Sequence, residues 1–310
     1  MSDLKIPGKL HTCFFEGYNL IEYMVSSNSP KVDTILLCQH GFRDDDFRNH
    51  FFEHTNMFGE HSQELVNLYL DLEYDFGAQS TTIHLARKIS SKLRVLAIFV
   101  NCDRSIMDSN RIAKDCIDEI AINYIDSEKV AQLRKMNFFV RETILNLCRQ
   151  YLEPEGFIID VHSMWPFSFE PEIKKGSDIR SYCQSFLEPN AKREGRNINF
   201  ILNEKDEQGM FSPVADLSLA LSLKKSLQDA EYCVDEDKPY FMESRRSNYE
   251  YFKLYRGIAI DIPRNLLGSN LPKTANPLDY SLIIEDMSKI ISMSDAMAKG
   301  IFSFHNVNNR

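Results

Sequence analysis

Continuous apolar runs recur along the chain and are separated by longer, mixed stretches. Three runs, at 32–39 (VDTILLCQ), 94–100 (RVLAIFV) and 156–161 (GFIIDV), show no clear alternation with polar residues. Such runs are typical of strands that are buried on both faces of a sheet. Two further runs, at 197–202 (NINFIL) and 257–262 (GIAIDI), have the same character. The pattern therefore predicts five buried strands.

The stretches between these runs predict helices, because their apolar residues recur on one helical face. The longest stretch follows Ser127, a residue type that often caps a helix N-terminus. The apolar segment 65–72 fits either a strand or the end of a helix. The predicted helices cover residues 77–92, 128–152, 213–227 and 281–302.

Strands that alternate with helices predict an α/β fold, a three-layer α/β/α sandwich around a mixed, mostly parallel sheet. The 310 residues contain 43% hydrophobic and 26% charged positions, as expected for a folded protein. We find no internal repeat, low-complexity linker or clear boundary. A single domain over residues 1–310 is therefore the simplest organisation.

Charge and cysteine content narrow the classes of partner. The net charge of −9 repels nucleic acid and anionic lipid, and no run of Lys or Arg reverses it locally. The seven cysteines include no CxxC pair, which fits a reducing compartment and predicts no cysteine zinc site. The N-terminus has no signal-peptide pattern, and no apolar run reaches the roughly 18–20 residues of a membrane span. We expect a cytoplasmic protein.

Residues with metal-binding side chains follow the predicted strands. His40 ends the first strand and His162 follows the third, while the acidic stretch 71–75 precedes the first helix. Ligands of open α/β sheets bind beyond the carboxyl ends of the strands, where these residues can meet. Two histidines and one carboxylate with an open fourth position form a catalytic zinc site. Asp75 is the first choice for the carboxylate and Glu73 the second.

Two further carboxylates lie near these histidines. Asp261, in the fifth strand, is a candidate general base that takes a proton from water and delivers it to the leaving amine. The metal would lower the pKa of the water and polarise the scissile carbonyl. Asp160 is a candidate to orient a ligand histidine, although we expect it on the opposite face if the strand continues.

The loop after the second strand carries Arg104, Asp108, Asn110 and Arg111. Two arginines and an asparagine suit bidentate recognition of a carboxylate, and Asp108 can hold one arginine in place. A solvated turn with a local ion pair is the competing interpretation.

The order of these motifs over residues 33–267 resembles the N-formylglutamate amidohydrolase family, a relative of the zinc carboxypeptidases. The DxHSM and RxxxDxNR patterns together carry most of this resemblance. The matching segments are Gln39-His40-Gly41, Glu73-Tyr74-Asp75-Phe76, Arg104 with Asp108, Asn110 and Arg111, Asp160-Val161-His162-Ser163-Met164, and Ile260-Asp261-Ile262-Pro263-Arg264.

The resemblance implies a zinc-carboxypeptidase-like fold and a single Zn²⁺ ion as cofactor. Arg264, at the end of the last motif, is a further candidate for contact with substrate. The implied roles are Zn²⁺ ligation by His40, His162 and Asp75 or Glu73, carboxylate binding by Asn110 and Arg111, and carbonyl polarisation by Arg104.

The chain departs from the family pattern at three points. Asp261 replaces a glutamate and is one methylene shorter, Gln39 replaces a proline, and the spacing of the acidic motif is unusual. These departures allow a different substrate or a weakened enzyme.

The leading hypothesis is a zinc amidohydrolase that acts on an N-acyl amino acid such as N-formylglutamate or on a similar small carboxylate-bearing amide. A carboxypeptidase or peptidoglycan-type amidase is the alternative enzyme. A binding or regulatory protein that kept the fold and lost catalysis is the alternative of another class. Trp165 either lines the pocket or packs in the core. The sequence leaves the oligomeric state open.

Overall fold

An eight-stranded sheet forms the centre of the structure. The computed structural model describes residues 8–26, 29–42, 45–52, 62–170, 178–187, 192–205, 208–269 and 284–308. The strands of this sheet are β1 (Lys9–Phe15), β2 (Tyr18–Val25), β3 (Val32–Cys38), β4 (Val95–Val100), β5 (Leu152–Met164), β8 (Ile198–Ile201), β11 (Val234–Glu236) and β12 (Arg256–Pro263). Three two-stranded sheets pair β6 (Phe167–Glu170) with β7 (Lys192–Gly195), β9 (Asn203–Lys205) with β10 (Phe211–Pro213), and β13 (Gly268–Ser269) with β14 (Ile284–Glu285).

The strand order of the large sheet is β1-β2-β4-β3-β5-β12-β8-β11. Its centre, β4-β3-β5-β12, is parallel throughout. The hairpin β1-β2 adds to β4 in the antiparallel direction, and β8 runs antiparallel to β12. The prediction of a mixed, mostly parallel sheet is confirmed.

Helices cover both faces of the sheet. Alternate residues of β5 point to different layers, so that Ile158 packs with one set of helices and Ile159 with the other. The helices are α1 (Asp45–Phe52), α2 (Gln63–Glu73), α3 (Ala78–Ile89), α4 (Ser127–Tyr151), α5 (Ile179–Leu187), α6 (Leu217–Asp229), α7 (Ser247–Leu254) and α8 (Met287–Asn308). Helices α1, α2, α4, α5 and α7 pack on the first face, and α3, α6 and α8 on the second. The three-layer prediction is therefore confirmed.

The five predicted strands are present, and the ambiguous segment 65–72 is helical. Ser127 is not the N-cap of α4. Asp126 has the extended backbone of a cap, and its side chain accepts from the backbone N–H of Lys129. The predicted helix at 213–227 begins only at Leu217, and that at 281–302 begins at Met287, with 281–283 outside the described residues.

The sequence pattern missed the β1-β2 hairpin, because its strands are only partly buried and mix polar with apolar residues. All seven cysteines are free thiols. Among the described helices, none combines the length and the apolar character that a membrane crossing requires.

The start of α6 is fixed to the central sheet by Asp216. Its carboxylate accepts from the backbone N–H groups of Ser218 and Leu219, each at 3.0 Å, and from Arg256 Nε of β12 at 2.6 Å. Burial raises the pKa of Asp216, but these hydrogen bonds outweigh burial and lower it from the ordinary value. The ionised form is therefore favoured by folding.

We expect Asp216→Ala to lower the free energy of unfolding by about 1–2 kcal/mol at pH 7, because a helix cap and a charge-assisted hydrogen bond are both lost. Since the folded-state pKa is lowered, the difference from wild type should be full above the ordinary aspartate pKa of about 3.9 and disappear at lower pH. Urea denaturation at several pH values measures it. Asp229→Ala, at the exposed other end of α6, is the control and should cost little. Equal effects of both variants would contradict the prediction.

Candidate active site

A cavity of about 240 Å³ lies at the carboxyl ends of the central parallel strands. β3 leads into His40, and the loop after β4 contributes Arg104 and Asp108. β5 carries His162 and β12 carries Asp261. The fold therefore brings together, at one edge of the sheet, residues that are more than two hundred positions apart in the chain.

His40, Asp75 and His162 form a buried group at the base of this cavity. One ligand atom from each lies within 4.8 Å of the others, so the group has the spacing and chemistry to hold a metal ion. Asp75 Oδ2 lies 3.0 Å from His162 Nδ1 and 3.5 Å from His40 Nδ1. The two imidazole centroids are 5.0 Å apart. Exposure of these three residues is 4% or less.

Short-range backbone geometry positions this group. Asp75 lies in the turn between α2 and α3, and its N–H donates to His40 O at 3.2 Å. Gly41 allows this approach, because a Cβ there would lie 2.7 Å from Gln79 N and 2.6 Å from Cys38 Sγ. Gly77 adopts φ of 74°, a left-handed conformation that favours glycine, and so starts α3 directly after the acidic turn.

Each imidazole has a carboxylate on its other side. His40 Nε2 lies 2.8 Å from Asp108 Oδ1, and His162 Nε2 lies 2.9 Å from Asp160 Oδ2. The expectation that Asp160 points to the opposite face is wrong, because residues two apart in a strand share a face and β5 continues to Met164. His40 Nδ1 is buried without a hydrogen-bond partner. A carboxylate beside Nε2 and an Nδ1 without a partner suit metal ligation by His40.

Asp160 belongs to a buried polar network that sequence reasoning missed. Its Oδ2 accepts from Gln39 Nε2 at 2.9 Å and from Asn248 Nδ2 at 3.1 Å, the latter at the start of α7. Ser247 Oγ lies 3.2 Å from Gln39 Oε1. The signals in the sequence are Asp160 and Gln39, polar residues within or at the end of apolar runs.

Glu73 does not belong to the His40–Asp75–His162 group. Its carboxylate accepts from Tyr182 Oη, and its other oxygen lies 4.0 Å from Arg104 Nε. Burial raises the pKa of Glu73. In contrast, burial would raise the pKa of Asp75, but Arg104 and the two histidines outweigh it and hold the pKa well below its usual range.

Asp261 faces the same cavity. It pairs in register with His162 across β12 and β5 and is 7% exposed. Burial raises its pKa and the charge of Asp75 adds to this, although His162 and two arginines oppose the shift. The position and the raised pKa suit a group that accepts a proton during the reaction.

The arginines predicted to contact substrate already have carboxylate partners. Arg104 Nη1 lies 2.8 Å from Asp75 Oδ1. Arg111 lies 3.5 Å from both Asp108 Oδ2 and Glu243 Oε2. Asn110 Oδ1 accepts from the backbone N–H of Asn248 at 3.1 Å. All three residues line the cavity, and their roles toward substrate remain predictions.

Arg264 is buried and holds the acidic turn in place. Its Nη2 donates to Leu72 O at 3.0 Å and to Tyr74 O. Its guanidinium lies 4.1 Å from the centre of the Trp165 ring, and Trp165 Nε1 also donates to Leu72 O. Both side chains line the cavity, but these bonds occupy part of the guanidinium.

Two further arginines, Arg196 and Arg246, line the cavity and form what we call the cationic wall. The sequence analysis did not predict it. The guanidinium carbons of Arg196 and Arg246 lie 5.3 and 5.9 Å from the centre of the Tyr240 ring. The Nε atom of each arginine is buried without a hydrogen-bond partner. In the sequence, Arg196 has no arginine neighbour and Arg246 belongs to an Arg-Arg pair of the kind common on surfaces. No motif therefore marks either residue.

Comparison with known proteins places the fold. No protein-family model matches the sequence, and no curated protein matches it significantly. A gene product of Agrobacterium tumefaciens superposes with a TM-score of 0.58 at 12% identity, covering 93% of this chain and 96% of that one. N-formylglutamate amidohydrolase from Ralstonia eutropha JMP134 superposes with a TM-score of 0.56 at 11% identity, covering 93% and 98%.

The chain shares the fold of N-formylglutamate amidohydrolase. The resemblance inferred from the motifs is thereby confirmed at the level of the fold, which is as far as identities of 11–12% reach.

We expect Gly41→Ala to lower the free energy of unfolding by about 1–3 kcal/mol, because the added methyl group meets the backbone of α3. Urea denaturation measures this loss. Gly195→Ala is the matched control, since a Cβ there meets no heavy atom within 4 Å. Unchanged stability of Gly41→Ala would show that the loop after β3 can move away from α3 at little cost.

Proposed function

We propose that the protein is a zinc-dependent amidohydrolase that cleaves the amide bond of an N-acyl amino acid or a similar small amide with a carboxylate. The buried His40–Asp75–His162 group beside an arginine-lined wall carries this proposal. The proposal is also supported by the name of N-formylglutamate amidohydrolase, a protein of the same fold, because that name denotes the same class of reaction.

The residues present fit a zinc ion. Imidazole nitrogen and carboxylate oxygen are common zinc ligands, and three protein ligands leave one position open for catalysis. His40, Asp75 and His162 would hold the ion. Bound there, zinc would supply Lewis-acid polarisation of the carbonyl and a lowered pKa of water.

Side chains of this protein would transfer the proton of the attacking water and stabilise the charge that develops on the substrate. Asp261 takes a proton from the attacking water, whose oxygen bonds to the carbonyl carbon. The C–N bond then breaks, and the same proton passes to the leaving nitrogen, giving a carboxylic acid and an amine. Arg104 stabilises the negative charge that develops on the carbonyl oxygen. Asn110 and Arg111 bind the substrate carboxylate.

The cationic wall adds a site for negative charge. Among the described residues, Arg196 and Arg246 have fewer carboxylate partners than Arg104 and Arg111. Arg246 lies 3.7 Å from Glu243, and the guanidinium of Arg196 has Tyr240 Oη, at 3.1 Å, as its oxygen partner. We assign these two arginines to the electrostatic attraction of the anionic substrate into the cavity.

We expect the purified protein to bind about one equivalent of Zn²⁺ and to hydrolyse N-acyl amino acids until a chelator removes the metal. His40→Ala and His162→Ala should each weaken zinc binding by more than about a hundredfold, because even changes to groups around metal ligands cost tenfold to a hundredfold. Metal analysis and a competitive chelator titration measure this.

His11→Ala, on the edge strand β1, is the matched control and should leave zinc binding unchanged. Turnover that resists the chelator would refute the zinc mechanism. A protein that neither contains nor takes up zinc would favour a binding protein of the same fold that lacks catalysis.

We expect Asp261→Asn to lower kcat/KM by about 10²–10⁴-fold while zinc content stays at the wild-type level, because only the proton acceptor is lost. The raised pKa of Asp261 means that wild-type activity falls as the pH drops through that pKa, which lies above the ordinary aspartate value. Asp261→Glu keeps the carboxylate and should retain turnover. An Asn variant as active as wild type would assign the base to another group.

A further inference from the structure

Arg48, in helix α1, is a buried charged residue that the proposed reaction does not use. It is 5% exposed and does not line the catalytic cavity. Phe47 and Phe51 of the same helix are 1% and 0% exposed and pack in the hydrophobic core, so α1 is firmly anchored. Arginine is almost never this buried unless its charge is paired. The partners of Arg48 therefore indicate its role.

The guanidinium of Arg48 bridges two carboxylates. Its Nε donates to Asp103 Oδ2, and its Nη1 donates to Asp71 Oδ1 at 3.3 Å. Asp103 is itself 2% exposed, and the side chain of Asp71 is 22% exposed. The planar fork of arginine can hold two acceptors in a fixed geometry, whereas the ammonium group of lysine acts as a single point charge. The bridge therefore depends on arginine.

The first of these carboxylates belongs to the loop that carries Arg104. Asp103 directly precedes Arg104 in the loop after β4. Its Oδ1 accepts from the backbone N–H of Ser105 at 3.1 Å and also from Ser105 Oγ. Asp103 thus holds the residue on the other side of Arg104 as well, and whatever fixes Asp103 also fixes the backbone of Arg104.

The second carboxylate lies in the segment that leads to Asp75. Asp71 is near the end of α2, and Asp75 lies in the turn that follows this helix. Arg104 and Asp75 form the ion pair at the cavity, with 2.8 Å between Nη1 and Oδ1. Arg48 therefore contacts both of the segments that bring this ion pair together.

We propose that Arg48 is a positioning residue, which holds the Arg104 guanidinium in the catalytic cavity by tying Asp103 to Asp71. This inference rests on the proposed function for the role of Arg104 at the carbonyl oxygen. A purely structural ion pair is the competing interpretation. However, buried ion pairs seldom add net stability, and Arg48 Nη2 is buried without a hydrogen-bond partner. The geometry that the bridge imposes on Arg104 accounts for it better.

Loss of the bridge should lower turnover more than substrate binding. Arg104 is assigned to charge that develops only in the transition state, so its displacement should lower kcat and leave KM nearly unchanged. A misplacement of about 1 Å can cost about a hundredfold in rate. We expect Arg48→Lys, which keeps the charge but not the fork, to lower kcat by about 10–100-fold with KM within about threefold.

A double-mutant cycle tests whether Arg48 acts through Arg104. Hydrolysis of N-formyl- and N-acetylglutamate is measured for the full-length, zinc-loaded proteins. In the Arg104→Ala background, Arg48→Lys should lower kcat by less than about threefold, because the guanidinium that it positions is already gone. A purely structural role would give the same loss of kcat in both backgrounds.

Crystal structures test the position of Arg104 without any need for turnover. In the wild-type protein, Arg104 Nη1 should lie close to Asp75 Oδ1, and in Arg48→Lys the two atoms should separate by about 1 Å or more. Asp71→Ala removes the bridge at its partly exposed end and should give the same separation. It replaces Arg48→Lys in the kinetic cycle if the lysine variant does not fold.

Arg94→Lys is the matched control. Arg94 also pairs with two carboxylates, those of Asp33 and Glu153, but it precedes β4 at the end of the sheet away from the cavity. This variant should keep the wild-type kcat and the wild-type position of Arg104.

An unmoved Arg104, an unchanged kcat, or an equal loss of kcat in both backgrounds would overturn the positioning role of Arg48. A displaced Arg104 together with a loss of kcat that requires Arg104 would support it. Absence of turnover by the zinc-loaded wild type would count against the proposed function alone. The crystal structures would then still decide whether Arg48 positions Arg104.

Discussion

The burial of the Asp75 carboxylate is the constraint on which the site depends. A buried carboxylate is costly unless its oxygens are paired. Asp75 finds its partners in Arg104, 2.8 Å from Oδ1, and in the imidazoles next to Oδ2. Arg104 and His40 follow β4 and β3, and His162 lies near the end of β5, so satisfying one charge fixes three strand ends relative to each other. The group proposed to bind metal is therefore also a structural junction.

The charges around this junction favour a cation at its centre. Asp108 and Asp160 lie on the outer side of the two imidazoles. Burial lowers the pKa of His162, but Asp160 and Asp75 outweigh burial and raise it well above the ordinary value. The surroundings thus stabilise positive charge near Asp75 Oδ2, which the Nδ1 atoms of His40 and His162 both approach. A divalent ion would satisfy the same carboxylates and leave both imidazoles neutral, which is the form that binds metals.

The sequence predicted the layered fold because its central strands are buried on both faces and read as continuous apolar runs. It predicted neither the β1-β2 hairpin nor the exact helix starts, since Asp126 and Ser127 are equally good caps and only backbone conformation distinguishes them. The strand ends identified His40 and His162. The choice between Glu73 and Asp75 could not be made from spacing, because it depends on how the chain turns between two helices. In the fold, Glu73 ends α2 and contacts Tyr182, while Asp75 lies in the turn that follows.

The arginine residues show most clearly what a sequence motif cannot predict. A motif identifies a cation but says nothing of its partners, and the fold gives Arg104 and Arg111 nearby carboxylates. A substrate carboxylate that approaches Arg111 must share it with Asp108 and Glu243, which weakens the net attraction. Arg196 and Arg246, next to Tyr240, each have a buried Nε atom without a hydrogen-bond partner, and an anion there would compete with fewer negative charges. Because attraction in a low-dielectric cavity depends on the uncompensated charge, we propose that Arg196 and Arg246 contribute more to the attraction of an anionic substrate than Arg104 and Arg111 do.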